Sequence, residues 1–257
     1  MEYKAQVVLE NYVKILSSLD GIECITLNEA ALPAVLDPYF ALILDVFYNG
    51  RIPDAIEREK LYGSEISAFE SSGSKDRFFV GSLPVRFEFK PTQKIDELVD
   101  IAYTDTDSIW LVKDSGTYTY YRLVNGSLLF SRSSWIADVR SRLCNLGNNF
   151  WLNMRQAAQS KMEHFLSDLG AAVMQNDIFF YRMSAAGFIK NACLTLFCIN
   201  REFEPSHRAY YKKVTNLPIL SDSFAAQLET FLRVEAEQNL QKRYALAQGI
   251  AKGIVSL

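Results

Sequence analysis

The chain has 257 residues, of which 49% are hydrophobic and 22% charged, and its formal net charge is −3. That length serves one large domain or two small ones. The composition is that of a folded protein rather than a disordered one, and the small negative charge exerts no strong pull on nucleic acid or an anionic membrane.

No apolar run reaches the ~18 residues that a membrane-spanning helix needs. The first residues, MEYKAQVVLENYVKIL, show no uncharged apolar stretch ahead of a small-residue cleavage site. Cys24, Cys144, Cys193 and Cys198 show no Cys-x-x-Cys spacing. A cytoplasmic chain with reduced thiols is the expectation.

In chain order, Val7, Val8, Tyr12, Val13 and Leu16 mark a helical stripe over residues 4–18. Residues 22–27 and 39–48 read as strands. Pro53 suits the first turn of a following helix and Gly63 its end. Residues 64–77, rich in Ser, Gly and charge, read as a mobile loop. Strands follow at 78–80 and 85–90, and a helix at 95–103. Between 108 and 130 the runs IWLV, TYTYYRLV and SLLF are separated by turn signals, Lys113-Asp114-Ser115-Gly116 and Asn125-Gly126. Asn-Gly between β-rich runs is a strong hairpin signal, so a small β-meander is expected here. From Trp135 onward helix formers dominate, and helices fit 135–158, 159–175, 178–199 and 222–250. The chain therefore reads as α+β in residues 1–133 and all-α in residues 134–257, without an internal repeat.

Two carboxylates stand inside the apolar strands: Asp45 in DPYFALILDVFY and Glu88 in VRFEFK. A charge buried in a strand is costly unless it is paired or bound to a metal. Alternate side chains share a face. Asp45 thus lies with Ile43 and Phe47, and Glu88 with Arg86 and Lys90. Both charged faces fit one face of one sheet. Two outcomes follow from these residues: a metal platform, or a structural ion pair of Asp45 with Arg86 or Lys90.

This order (helix, short strand, strand ending in an acidic residue plus an aromatic, helix opened by Pro, acidic strand, then a helical domain) resembles the nucleotidyltransferase superfamily that includes the aminoglycoside nucleotidyltransferases. LTLFCINREFEPSHRAYYKKV at 194–214 and LPILSDSFAAQLETFL at 217–232 look like the helical substrate domain of such enzymes. There a helix ending in Leu/Phe-x-x-Asn-Arg is followed by an aromatic or acidic residue, Pro and a basic segment. The resemblance spans roughly residues 20–235.

It implies a nucleotidyltransferase-like mixed sheet followed by a helical bundle. It implies transfer of a nucleotidyl group from a nucleoside triphosphate to a small hydroxylated acceptor, with Asp45 and Glu88 as catalytic residues and Mg²⁺ ligands. Divalent ions that bridge a triphosphate need carboxylates converging from one sheet face. Asp45 matches the second aspartate of the family's Asp-x-Asp pair, and Glu88 matches its third carboxylate. The first aspartate falls on Ile43, which cannot ligate a metal. The family's Gly-Ser turn, which lets backbone N–H groups approach phosphate, falls on Leu27-Asn28-Glu29-Ala30. Asp37 lies eight residues before Asp45, roughly 25 Å along an extended strand, and Glu29 has no spacing argument in its favour. These departures imply a degenerate site with impaired catalysis. The alternative is a non-catalytic binding or regulatory protein on the same fold, with Asp45 in a structural ion pair.

His207 and Arg208, in the basic and aromatic run EPSHRAYYKK, are candidates to touch a substrate phosphate or base. The competing reading of His207 is a solvated histidine near a helix start. With two histidines in the chain, one of them His164 on a helical stretch, a His-rich metal site is excluded. GxSxG, the P-loop lysine motif and GxGxxG are all absent from the sequence, so hydrolase, P-loop and Rossmann readings have no support.

Overall fold

The computed structural model describes residues 3–28, 42–104, 117–233 and 240–257. The chain divides into two compact units, Met1–Asn145 and Leu146–Leu257.

The first unit contains α1 (Tyr3–Ser17), β1 (Ile22–Leu27), β2 (Leu42–Tyr48), α2 (Ala55–Tyr62), β3 (Ile66–Ser71), β4 (Lys75–Val80), β5 (Leu83–Pro91), α3 (Thr92–Thr104), α4 (Tyr118–Asn125), β6 (Ser127–Ser131) and α5 (Trp135–Cys144). Its strands form a six-stranded sheet in the order β3-β4-β5-β2-β1-β6. β2 and β5 run parallel, and the other neighbours are antiparallel. This is the α+β mixed sheet that the pattern predicted.

Sheet parity separates two faces. Leu44, Val46, Val85, Phe87 and Phe89 turn toward Leu9, Tyr12 and Leu16 of α1 and Tyr62 of α2, forming one apolar core. Aromatic rings knit it together: Tyr12, Tyr62, Phe78 and Phe87 lie at centroid separations of 5.0–6.0 Å. The other face carries Asp45 and Phe47 on β2. There Trp135 of α5 packs on Phe47 at 5.3 Å, and the Tyr120 hydroxyl of α4 donates to the Leu98 carbonyl of α3 at 2.7 Å. α2 begins with a capping box, in which Asp54 accepts from the Glu57 N–H and Glu57 accepts from the Asp54 N–H. Pro53 therefore sits just before the cap, and Gly63 closes the helix at φ 90°.

Three expectations are corrected here. The run TYTYYRLV is the helix α4, not a strand, and Asn125-Gly126 ends that helix rather than turning a hairpin. Gly126 is needed for closeness: a Cβ there would lie 2.8 Å from the Arg122 carbonyl and 3.2 Å from the Thr26 side chain. Residues 64–77 are not a mobile loop but contribute β3 and β4, joined through Gly73 at φ 66°. Third, the unit boundary lies at Asn145/Leu146 rather than at 133/134. The shift to helix-forming residues at Trp135 marks a change of secondary structure within the first unit, because Arg140 of α5 donates to the Leu123 carbonyl at 2.9 Å. The IWLV run and the Lys113–Gly116 turn fall outside the described residues, as do Glu29, Ala30 and Asp37.

The second unit is all-helical among its described residues: α6 (Asn148–Gln175), α7 (Ile178–Ile199), α8 (Tyr210–Val214), α9 (Phe224–Leu232) and α10 (Leu240–Val255). Met162, Leu169, Phe188, Leu196, Phe197, Phe224, Phe231 and Ile250 form its core. The C-terminal half of α7, residues 191–198, is buried on every side, and its sequence is correspondingly apolar around most of its circumference.

Candidate functional site

Asp45 and Glu88 are register partners on the parallel pair β2–β5, so their side chains share one sheet face. The parallel register brings Ile43 beside Arg86 and Phe47 beside Lys90. Asp45 is 1% exposed and Glu88 6%. Cations meet both carboxylates.

Arg122 reaches in from α4. Its Nε donates to Asp45 Oδ2 at 3.0 Å, its Nη2 donates to Asp45 Oδ1, and its Nη1 lies 3.0 Å from Glu88 Oε2. Lys90 Nζ lies 2.9 Å from Asp45 Oδ1 and 3.7 Å from Glu88 Oε2. Arg86 Nη2 lies 3.1 Å from Glu88 Oε1. Two carboxylates thus face three cations. A planar guanidinium matches a carboxylate through two parallel hydrogen bonds, which makes the Arg122–Asp45 contact both strong and directional.

Burial pushes the Asp45 carboxyl up, but the charges of Lys90 and Arg122 and their hydrogen bonds outweigh it and hold it below the usual carboxylate range. Burial pulls the Lys90 ammonium down, and Arg122 beside it pulls the same way. The Arg122 guanidinium is raised by Asp45 and Glu88 in spite of its own burial.

This donor set does not fit Mg²⁺. A hard divalent cation needs free carboxylate oxygens in a net negative cage. Here both oxygens of each carboxylate already take hydrogen bonds or ion pairs from Arg122, Lys90 and Arg86, and the local charge sum is positive. The neighbouring position that would supply a further ligand is Ile43, which is apolar and buried. Among the described residues no three His, Cys, Asp or Glu side chains converge into a metal-binding group.

The sequence offered Arg86 or Lys90 as the partner of Asp45; Lys90 is one, Arg86 reaches Glu88 instead, and Arg122 was missed. The signal for Arg122 was faint: it is the sole Lys or Arg between residues 117 and 131, flanked by aromatics, in a run that reads as β.

A second buried charge pair lies on the opposite sheet face. Arg58 of α2 forks onto Asp76 of β4 at 2.7 and 2.8 Å, and the Tyr62 hydroxyl donates to Asp76 at 2.5 Å. Arg58 also donates to the Pro53 carbonyl, Ser71 Oγ and the Gly73 carbonyl. It forms one wall of a cavity of about 460 Å³ whose rim includes Tyr48, Arg51, Asp54 and Ser74. Neither Asp45 nor Glu88 lines that cavity.

His207 and Arg208 belong to the second unit and are exposed. The His207 ring sits edge-on to Tyr210 at 5.7 Å. The buried acid of that segment is Glu204, which accepts from the Tyr210 hydroxyl at 2.9 Å and whose carboxyl is raised by burial. The Asn200-Arg201 pair ends α7. Arg201 turns at φ 55°, and the Asn200 amide group exchanges two hydrogen bonds with the Ile219 backbone at 2.7 and 2.9 Å. Those residues of the Leu/Phe-x-x-Asn-Arg motif are thus a helix stop that pins residue 219.

The described residues contain no helix long and apolar enough to cross a membrane. No family model matches the chain, and no curated protein matches it. Among solved structures, a crystal structure of a nucleotidyltransferase-like protein from Exiguobacterium sibiricum is similar. It has a TM-score of 0.50 at 11% identity, over 98% of this chain and 74% of that one. At that identity the likeness speaks for the fold, a nucleotidyltransferase-like α+β arrangement, and for nothing finer.

Proposed function

We propose that this is a non-catalytic binding or regulatory protein built on a nucleotidyltransferase-like fold. In it Asp45 and Glu88 serve as structural anions rather than metal ligands. The observation that supports this reading is the clasp of Arg122 on both carboxylates, reinforced by Lys90 and Arg86. A catalytic platform for nucleotidyl transfer keeps its carboxylates open to divalent ions. Guanidinium and ammonium groups hold those positions here, and Ile43 removes a third ligand. In this reading Mg²⁺ has no role at Asp45 and Glu88, and no nucleotidyl group passes to a hydroxylated acceptor. His207 and Arg208 are exposed, which suits contact with a ligand phosphate or base without any chemical role.

The test is a thermal melt of the full chain with a nucleoside triphosphate, in Mg²⁺ and in EDTA. Stabilisation by a ligand at 100 times its Kd amounts to about 2.7 kcal/mol. The proposal expects no gain from Mg²⁺ over EDTA. A Mg²⁺-dependent gain of that size, lost in Asp45→Asn, would restore the transferase reading.

A further inference from the structure

The sheet face that carries Asp45 and Glu88 continues across β5 onto β4 and β3, and its charges there are not balanced. Arg77 of β4 is the direct cross-strand partner of Arg86 of β5. Like charges set directly opposite one another on a sheet repel. The other neighbours of Arg86 bring little relief. On β2 its register partner is Ile43, with no charge to offer. Along β5 it meets Glu88, whose oxygens are already shared with Arg122 and Lys90. Glu70 of β3 is the register partner of Arg77. Even so, among the described residues Arg77 makes no ion pair.

A second, independent observation concerns the Arg86 guanidinium itself. Its Nη2 reaches Glu88, whereas its Nε is buried and finds no hydrogen-bond partner among the described residues. A buried donor without an acceptor is unfavourable, and native folds seldom leave one. Nε itself is closed to solvent, but the Arg86 side chain as a whole is 31% exposed and Arg77 is exposed, so an anion from solvent can reach both side chains.

We propose that Arg77 and Arg86 together form an oxyanion site for a phosphate group. The phosphate is taken without a metal ion, either as free phosphate or as part of a phosphorylated small molecule. The phosphate charge lies between two guanidinium groups that otherwise repel, and a turn of the half-buried Arg86 side chain brings its Nε onto a phosphate oxygen. Arginine suits this because its rigid fork matches phosphate geometry. The site rests on the metal-independent reading above in one respect: with Asp45 and Glu88 neutralised by cations, the adjoining face is free to attract an anion.

The experiment is titration calorimetry of the full chain in EDTA at low salt. The probes are inorganic phosphate, tripolyphosphate and a nucleoside triphosphate, each against wild type, Arg77→Gln, Arg86→Gln and the control Lys252→Gln. Binding of at least one probe is expected, with affinity tenfold or more weaker in each arginine variant and unchanged in Lys252→Gln. Binding of the nucleoside triphosphate alone assigns the phosphate to a nucleotide. Comparable binding of tripolyphosphate assigns it to the phosphate chain itself. Arg77 is exposed and makes no ion pair among the described residues, so Arg77→Gln folds and remains informative should Arg86→Gln not. No binding by wild type, or unchanged affinity in Arg77→Gln, overturns the site. Should Mg²⁺ tighten binding in a way that Asp45→Asn removes, the non-catalytic reading fails; the arginine site still stands if the EDTA binding depends on Arg77.

Discussion

Arg122 clasps Asp45 from 77 residues further along the chain, with Nε on one carboxylate oxygen at 3.0 Å and Nη2 on the other. The contact ties α4 to the centre of the sheet. Because the two groups are buried together, their contributions to stability are not independent. A double-mutant cycle over Asp45→Asn and Arg122→Gln should give a coupling energy within the ~0.5–3 kcal/mol found for contacting pairs. Additive losses in urea unfolding would mean that the clasp contributes nothing of its own.

The Arg58–Asp76–Tyr62 group predicts an order of effects. Tyr62→Phe removes one hydrogen bond to a charged acceptor that keeps its arginine, so a loss of about 1.5–3 kcal/mol is expected. Asp76→Asn strands the buried Arg58 and should cost more, about 3–5 kcal/mol. Chemical denaturation of both variants checks the order. The reverse order would contradict the assignment of Arg58 as the dominant partner.

The helix contact at Gly187 predicts a steric effect. A Cβ there would lie 2.5 Å from the Phe165 ring. Gly187→Ala should destabilise by about 1–3 kcal/mol through overpacking, although alanine is the better helix former. A raised melting temperature would show that Phe165 moves aside freely.

The pH dependence has a definite sign at each end. Burial pushes the thiols of Cys24, Cys193 and Cys198 up to about 12 from an ordinary value of 9.0. A group raised on folding contributes stability that is present below its unfolded value and lost as pH rises through its folded value. Stability should therefore fall between pH 9 and about 12. Lys90, lowered on folding, opposes this with a single group. Asp45 is lowered from 3.8, so its contribution is present above that pH and disappears as the acid limb descends below it. Urea midpoints across the pH range test both limbs. A rise above pH 9 would contradict the thiol assignment.

How far the fold was legible depended on the kind of signal each segment carried. Apolar runs with regular period gave α1, β1, β2, β5, α3 and the helical second unit, because burial of a face dictates those patterns directly. β3 and the first half of β4 were hidden, whereas the strand read at 78–80 is the second half of β4. The inward position in that first half is Asp76, a charge kept inside by Arg58, so the expected alternation is broken at that point. α4 was hidden by composition: Thr, Tyr and Val favour strands in general, but tertiary packing of Tyr120 and Arg122 overrides that preference here. Strand parity allowed Asp45 and Glu88 a common face, the family resemblance required it, and the β2–β5 register bears it out. What occupies that face was not legible, because the decisive cation comes from α4, a segment whose helical nature the sequence concealed.

The central claim is that Asp45 is an ion-pair partner and not a metal ligand, and urea unfolding of Asp45→Asn beside wild type in EDTA tests it most directly. The account predicts a loss of about 3–5 kcal/mol, because buried Arg122 and half-buried Lys90 are left to share Glu88 as their one anion, which Arg86 also takes. Unchanged or raised stability would contradict it, since relief of repulsion is what neutralising one member of an open carboxylate cluster produces.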